Sequence, residues 1–593
     1  MLINNLRDFL RELRKLGQVV DVTVPCDAEL EIPEIHRRVI AESGRVLFFH
    51  NVKGSPFPVV TNLFGTKQRV ELAFGPRPEA FVKQIAALPH ELMPPTPAKL
   101  WRARGLAFDA LRVGMKSVAS APVLECEMSL TPGAGLTTLP ALKLWPEDGG
   151  RFVTLPLVYT EDPDTRVHNL GMYRIQIYDE RTTGMHWQIG KGGGFHHHRA
   201  ESKGEKLPVT LFIGGPPALM LSAIAPLPES VGELMLASLL LGSKLRRCHR
   251  ADLAHPVIAE CEFAICGYVP PNERRPEGPF GDHYGYYSLR HDYPVFHVQK
   301  AFHRRDAIYP ATVVGKPRQE DFYIGDYLQS LLSPLFPVVM PSVLELKSYG
   351  ETGFHGLAAA RVKDRYPREA VSTALRILGE GQLSLQKFVM ITDGSVDLTD
   401  FKSTLIHFLQ RTNWKTDLFV LSNVSQDTLD YSGPKVNEGS KGIWLALGSA
   451  VRELATEAPP QTSLPIGAQS CRLFVPGCLV VTGSSYTADP ALVSRLAQAQ
   501  ALSGYELILV VDDCEQATQT EELFLWSWFT RFEPAADIYA ATMETVRFHV
   551  QLTGPVLFDC RMKPWYPAEV EPHPDTVQLV DRRWGSYFSR PVV

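Results

Sequence analysis

No run of about 18 apolar residues occurs in the 593-residue chain, so no segment is suited to cross a membrane as a helix. The opening Met1-Leu-Ile-Asn-Asn-Leu-Arg-Asp-Phe-Leu mixes acid with base and has no small-residue cleavage site, so no secretory signal is expected. Cysteine is scarce. The nine thiols are scattered, and the closest pair, Cys261 and Cys266, falls in a strand-like stretch rather than a Cys-x-x-Cys knuckle. Free thiols in a reducing cytoplasm are the expected state. Charge of one sign is also lacking: 60 basic against 65 acidic residues leave −5, with no general pull toward nucleic acid or an anionic surface. Three catalytic signatures are missing as well, namely a Gly-x-x-x-x-Gly-Lys-Ser/Thr phosphate loop, a Gly-x-Ser-x-Gly elbow and a correctly spaced dinucleotide fingerprint.

What is present is an ordinary globular composition, 45% hydrophobic and 21% charged, in a chain too long for one core. Leu6, Phe9, Leu10, Leu13 and Leu16 recur at helical spacing and predict an opening amphipathic helix that stops at Gly17. Short strands at 18–22, 46–49 and 57–61 with a helix near 79–87 make a small α+β unit, bounded by the prolines at 89, 94, 95 and 97. From about 123 to 302, β runs broken by Gly and Pro favour a barrel or sandwich. Within them Met172, Arg174, Gln176 and Tyr178 alternate with Tyr173, Ile175 and Ile177, giving one strand a polar and an apolar face. Stretch 208–213 reads as a buried strand and 231–241 as a helix with Glu233 in its first turn. Beyond 317, strands and helices alternate. Phe388-Val-Met-Ile-Thr-Asp and its helix to Arg411 are echoed by Leu507-Ile-Leu-Val-Val-Asp and its helix to Arg531, with Asp417 and Asp537 at nearly matched offsets. Two related α/β units are expected there.

The chain's most informative stretch is Pro276-Glu-Gly-Pro-Phe-Gly-Asp-His-Tyr-Gly285. It sets Glu277 and Asp282 across a turn in which Gly278 and Gly281 allow unusual backbone angles and Pro279 fixes its own. Two acids held close cannot both ionise cheaply. One of them is expected to keep its proton near neutral pH, as a general acid does.

Four pieces occur in order: Asn169-Leu-Gly-Met-Tyr-Arg174, Gly184-Met-His-Trp-Gln-Ile-Gly-Lys-Gly-Gly193, Leu227-Pro-Glu-Ser-Val-Gly-Glu233 and Glu277-Gly-Pro-Phe-Gly-Asp282. Together they resemble the UbiD family of reversible decarboxylases, over roughly residues 6–441. The resemblance implies an α+β multidomain fold: an N-terminal α+β domain (1–115), a central split β-barrel that binds prenylated FMN (116–316), a C-terminal α/β oligomerisation domain (317–480) and an α/β extension (481–593). It implies a catalytic trio of Arg174 orienting the substrate, Glu277 tuning it and Asp282 donating the proton. Met172, Tyr173, Arg174, His186, Trp187, Gln188, Lys191 and Gly192 match the stretches that wrap the cofactor, and Lys441 matches a lysine that reaches its phosphate. Asn169 and Glu233 match oxygen ligands of a Mn²⁺ or Mg²⁺ ion that bridges to the phosphate, with K⁺ a further candidate cation.

One departure stands out: Gly190 occupies the place where the family carries a metal-binding His. His196, His197 and His198 follow, read as an exposed loop more readily than as replacement ligands. The resemblance further implies a cytoplasmic homo-oligomer supplied by a flavin prenyltransferase and acting on a small aromatic carboxylate. The long C-terminus and the 425–437 segment resemble members that take 1,4-dihydroxy-6-naphthoate toward menaquinone, and a 4-hydroxybenzoate-type acid is the alternative. Two other classes stay open, an ordinary FMN oxidoreductase and an inactive flavin-binding assembly protein.

Overall fold

The structure is a computed structural model that describes residues 3–102, 105, 113–187, 192–225, 232–316 and 318–588. The chain forms two compact units, Met1–Leu331 with Ala568–Val593 and Leu332–Pro567, so the first is left and re-entered.

In the first unit the opening helix spans Leu6–Lys15. Asn5 caps it by accepting the Asp8 N–H, Asp8 lies in its first turn and Arg14 and Lys15 in its last, each where the helix dipole favours that charge. Leu6, Phe9, Leu10 and Leu13 are buried as expected, but Leu16 is the C-cap and is exposed, because the helix ends before another turn could bring it onto the apolar stripe. The small sheet runs in the order Val19–Val22, Val46–Phe49, Val59–Thr61, Tyr309–Pro310. Its fourth strand comes from far along the chain and pairs in parallel with the third. The proline-rich stretch is itself partly helical: Pro89 lies inside the helix Arg77–Leu92, and Pro97 begins another helix, Pro97–Arg102.

The site rests on a larger, eight-stranded sheet. Its path runs Thr182–Gly184, His291–His303, Phe263–Val269, Leu207–Ile213, Pro156–Glu161, His168–Gly171, with Arg274–Glu277 and Cys126–Glu127 added on His291–His303. Leu207–Ile213 is buried at six of its seven residues and is paired on both sides, which is why its sequence is a nearly continuous apolar run. Among the described residues the path does not close into a barrel. Phe152–Val153 and Ile175–Gln176 instead pair with each other as a separate ribbon. The alternating stretch around Arg174 therefore contributes only Ile175–Gln176 as strand, and its polar side, Arg174 and Gln176, turns inward rather than to solvent.

The internal echo reappears in the topology of the second unit. One five-stranded sheet has the order Val343–Ser348, Leu357–Val362, Phe388–Thr392, Glu438–Ala446, Leu418–Ser425, and the other Ala468–Val475, Cys478–Gly483, Leu507–Val511, His549–Asp559, Ile538–Val546. Each is joined antiparallel, parallel, parallel, antiparallel along that order. Asp417 and Asp537 play one role: each accepts the backbone N–H four residues earlier, from Asn413 at 2.8 Å and Glu533 at 2.7 Å, and so shapes the entry to an edge strand. Both sheets feed one core in which Phe388, Trp444, Trp528 and Phe558 are fully buried.

Candidate active site

Arg174 immediately precedes Ile175–Gln176, and its guanidinium is held on every side. Nε donates to Glu277 Oε1 at 2.9 Å and NH2 to Glu277 Oε2 at 3.0 Å, a two-pronged grip that fixes the plane of the head group. NH1 donates to Asp282 Oδ2 at 2.5 Å and NH2 to Ser288 Oγ at 2.9 Å. The Phe280 ring lies under it, 4.7 Å from centroid to guanidinium carbon. The three residues expected to form the catalytic trio are thus in direct contact.

Local sequence explains how the acids arrive there. Glu277 ends the strand Arg274–Glu277, and Gly278 follows with φ +90°, a region closed to most side chains. Gly278 N–H donates to Gln176 Oε1, and Gly281 N–H donates to Asp148 Oδ1 at 2.8 Å. Gly281 is required for contact: a Cβ there would lie 2.1 Å from Trp145. Asp148 also accepts the Leu144 and Trp145 N–H groups, and burial pushes its pKa up to about 7 against those bonds.

The electrostatics correct one expectation. Neither acid of the pair is held protonated. Burial alone would raise both, but Arg174 and His186 hold Glu277 down at about 2, and the hydrogen bond from His283 together with the Arg174 charge holds Asp282 well below the carboxylate range. The physical reason is that Arg174 sits between the two carboxylates and neutralises the repulsion that would have kept a proton on one of them. Arg174 is raised in turn: burial lowers it, and the two acids outweigh that.

A second cluster contains the metal candidates. Asn169, in His168–Gly171, donates through Nδ2 to Glu233 Oε1 at 2.9 Å, and Leu170 N–H donates to Glu233 Oε2 at 3.0 Å. Tyr173 OH donates to Asn169 Oδ1 at 3.3 Å. Glu233 is the first residue of Glu233–Leu241, and burial raises its pKa. Asn169 and Glu233 are therefore neighbours, yet among the described residues no three His, Cys, Asp or Glu side chains gather as a metal nest. The histidine triplet is not the loop expected of it. It lies in the helix Gly192–Ser202 with His196 and His197 buried and only His198 exposed; His196 bonds Thr160 Oγ1 at 2.9 Å, and the His197 ring packs at a tilt against Trp187 with centroids 4.9 Å apart.

Three family models match successive stretches of the chain: the 3-octaprenyl-4-hydroxybenzoate carboxy-lyase N-terminal domain at 10–88, its Rift-related domain at 116–317 and its C-terminal domain at 322–446. The chain belongs to the UbiD family. A Chlamydia pneumoniae relative, named as a subunit of 4-hydroxybenzoate decarboxylase, is 48% identical over 585 residues, 98% of each chain. Among solved structures, the vanillic acid decarboxylase of Sedimentibacter hydroxybenzoicus in closed form aligns with a TM-score of 0.65 at 23% identity, over 77% of this chain and 96% of that one. An evolved dimeric form of the UbiD-class enzyme HmfF from Pelotomaculum thermopropionicum, in complex with prFMN, aligns with a TM-score of 0.62 at 22% identity, over 78% and 99%. The UbiD chain is accordingly a carboxy-lyase of mixed α/β multidomain architecture.

The remaining UbiD positions divide by where they lie. Tyr173, His186 and Trp187 are buried and Met172 half-buried, close to Arg174 in sequence or space: His186 Nδ1 lies 3.2 Å from Glu277 Oε2. Among the described residues, His186 Nε2 and Trp187 Nε1 are buried with no hydrogen-bond partner. Buried polar atoms of that kind are left for a ligand or an ordered water to satisfy. Gly192 stands against Asn169, where a Cβ would lie 2.7 Å from Nδ2. Gln188, Lys191 and Gly190 lie outside the described residues. Lys441 belongs to the second unit, in Glu438–Ala446, where its ammonium donates to the Ser384 and Gln386 carbonyls at 2.7 Å each and burial lowers its pKa to about 8.

Several contributors escaped the sequence reading. Ser288, Gln176, Asp148 and Phe280 all touch Arg174 or brace the turn; Ser288 and Asp148 carry no spacing signal, whereas Gln176 shared the polar alternation with Arg174 and Phe280 lay inside the Glu277–Asp282 motif, though neither pattern named a contact. Tyr293, whose ring lies 4.3 Å from that of His186, is likewise ordinary in sequence. His283 did have a signal, its adjacency to Asp282.

Proposed function

We propose that this carboxy-lyase removes CO₂ from a hydroxylated aromatic carboxylate with the help of prenylated FMN. The observation that carries the reading is Arg174, aligned by Glu277 on two N–H groups while NH1 reaches Asp282 at 2.5 Å. A substrate carboxylate that takes over NH1 displaces Asp282 from its counter-cation. Burial then acts on Asp282 unopposed by that charge and favours its protonated form, the state needed to return a proton to the ring carbon. Glu277 keeps Arg174 fixed throughout.

His186 Nε2 and Trp187 Nε1, with Met172 and Tyr173, are the groups suited to hold the flavin. When bound, prenylated FMN supplies the electron sink. Asn169 Oδ1 and the Glu233 carboxylate are hard oxygen donors that suit Mn²⁺ or Mg²⁺ as part of a shell completed by phosphate and water, and Gly190 contributes no side chain to it. The supply of cofactor by a flavin prenyltransferase and a homo-oligomeric state belong to the same reading.

On substrate, resemblance to long family members favours 1,4-dihydroxy-6-naphthoate. The Chlamydia pneumoniae relative, named for 4-hydroxybenzoate decarboxylation, matches along 98% of both chains, so it shares that length, and it favours a 4-hydroxybenzoate-type acid as a second reading. Mass spectrometry of the extracted cofactor and CO₂ release from the two acids side by side are the test. A prenylated flavin with turnover of either acid is expected. Unmodified FMN bleached by a nicotinamide, or bound flavin with no release from either acid, would instead support the oxidoreductase or the inactive flavoprotein.

A further inference from the structure

Asp282 poses a problem that its immediate neighbour answers. The carboxylate is buried and held as an anion, while the step assigned to it requires a proton. His283 Nδ1 lies 2.7 Å from Asp282 Oδ1, the oxygen that does not face Arg174, and the His283 backbone N–H donates to the same oxygen at 2.8 Å. About a quarter of the imidazole side chain, 27%, is open to solvent, against 11% for Asp282. The two oxygens of Asp282 thus divide the labour: Oδ2 faces the substrate-binding arginine and Oδ1 faces a group in touch with water.

The surroundings suit an imidazolium. Asp282 bonds it directly, and Asp321, buried on the helix Glu320–Leu332, feels the His283 charge through space. The Tyr284 ring packs edge-on at 5.1 Å, and Arg174 lies on the far side of Asp282. Imidazole is the side chain whose ordinary protonation change falls in the physiological range, so it can carry a proton in and leave neutral within one cycle.

We infer that His283 is a positioning residue that relays the proton used by Asp282. In each turnover the Nδ1–H bond of the imidazolium breaks and an O–H bond forms on Asp282 Oδ1. Released from Arg174 NH1 by the substrate, the Asp282 carboxyl turns about its Cβ–Cγ bond, its O–H bond breaks as that proton forms a C–H bond at the ring carbon from which CO₂ has departed, and Asp282 becomes a carboxylate again. Neutral His283 then recovers a proton from water. No oxidant or reductant enters, and the proton lost by solvent equals the proton gained by product.

The inference rests on the decarboxylase reading, and its test separates the two. The holoenzyme, His283→Gln and His283→Ala are compared for CO₂ release across pH and for deuterium uptake at the ring carbon of the decarboxylated product in D₂O, with and without added imidazole. His283→Gln keeps a hydrogen-bond donor beside Asp282 but cannot titrate. It is expected to retain flavin absorbance and KM while kcat and deuterium uptake fall about 100-fold, and imidazole is expected to restore much of the rate in His283→Ala. Loss of the neutral-pH inflection in the variants completes the expected pattern. A His283→Gln enzyme with kcat within about threefold of the parent and an unchanged pH profile would overturn the relay while leaving the decarboxylase reading intact. A parent holoenzyme that neither releases CO₂ nor takes up deuterium would overturn both.

Discussion

Arg174 makes four side-chain hydrogen bonds to three residues, and removing any partner should have a distinct effect. Asp282→Asn preserves shape and leaves His186 and Trp187 in place but removes the acid; flavin content by absorbance should be unchanged while CO₂ release falls by about 10²-fold to 10⁴-fold. Glu277→Gln should disturb Arg174 itself, because the buried guanidinium loses its two-pronged counter-charge; KM for the carboxylate should rise along with loss of kcat, a split absent in Asp282→Asn. Glu277 also sets a pH limit. Its folded pKa, about 2, lies below its ordinary 4.5, so its contribution to stability is complete above about pH 4.5 and is lost as pH falls toward 2. Acid unfolding followed by circular dichroism should shift to higher pH when Arg174 is replaced by Met, since the depression then disappears. At this scale the meeting of Arg174, Glu277 and Asp282 was legible, because the three sit in motifs of fixed spacing. The protonation state was not, since it depends on an arginine more than a hundred residues away in the chain lying between the two acids.

At the scale of elements, the 280–288 turn is a small rigid device. Ser288 N–H donates to Phe280 O at 2.8 Å, Phe280 N–H donates to Ser288 Oγ at 3.2 Å, and Asp282 N–H donates to Tyr286 O at 3.1 Å. Phe280 packs on Phe152 with ring centroids 4.6 Å apart. Gly281→Ala drives a methyl into Trp145 and should displace Asp282 and Ser288 together, with a loss of activity larger than the loss of thermal stability. The comparison to make is kcat against Tm in one preparation. Helix Leu6–Lys15 and strand Leu207–Ile213 could be read from the sequence because their patterns, a helical period and a short apolar run, are local. The histidine triplet misled because three glycines precede it, and glycine-rich sequence reads as loop, whereas tertiary packing of His196 and His197 against Thr160 and Trp187 holds it helical.

For the whole molecule, the repeated α/β topology was visible in two similar strand-and-helix passages, and the core shared by the two sheets shows why such a pair persists: Trp444 and Trp528 lie with ring centroids 6.4 Å apart and each closes the other's apolar face. Invisible in sequence was the return of the chain to its first unit. Tyr287 N–H donates to Ala568 O at 2.9 Å and Val570 N–H donates to Gly285 O at 3.0 Å, so residues 568–570 run antiparallel along the turn that carries Asp282 and join it by one β-bridge. Lys316 pairs with Glu569, and the helix Pro574–Tyr587 anchors the segment through Tyr587 OH to Glu31 at 2.7 Å and Asp581 to Arg38 at 2.6 Å. A chain cut after residue 567 should therefore show impaired turnover even where its second unit melts normally, which activity assays and calorimetry on the same protein would distinguish.

That returning segment also sets a clock on maturation. A ribosome has to deliver residue 570 and the anchoring helix behind it before the acid-bearing turn gains its outer neighbour, so a nascent chain that already carries Arg174, Glu277 and Asp282 holds that cluster unbraced on one side until those later residues have emerged.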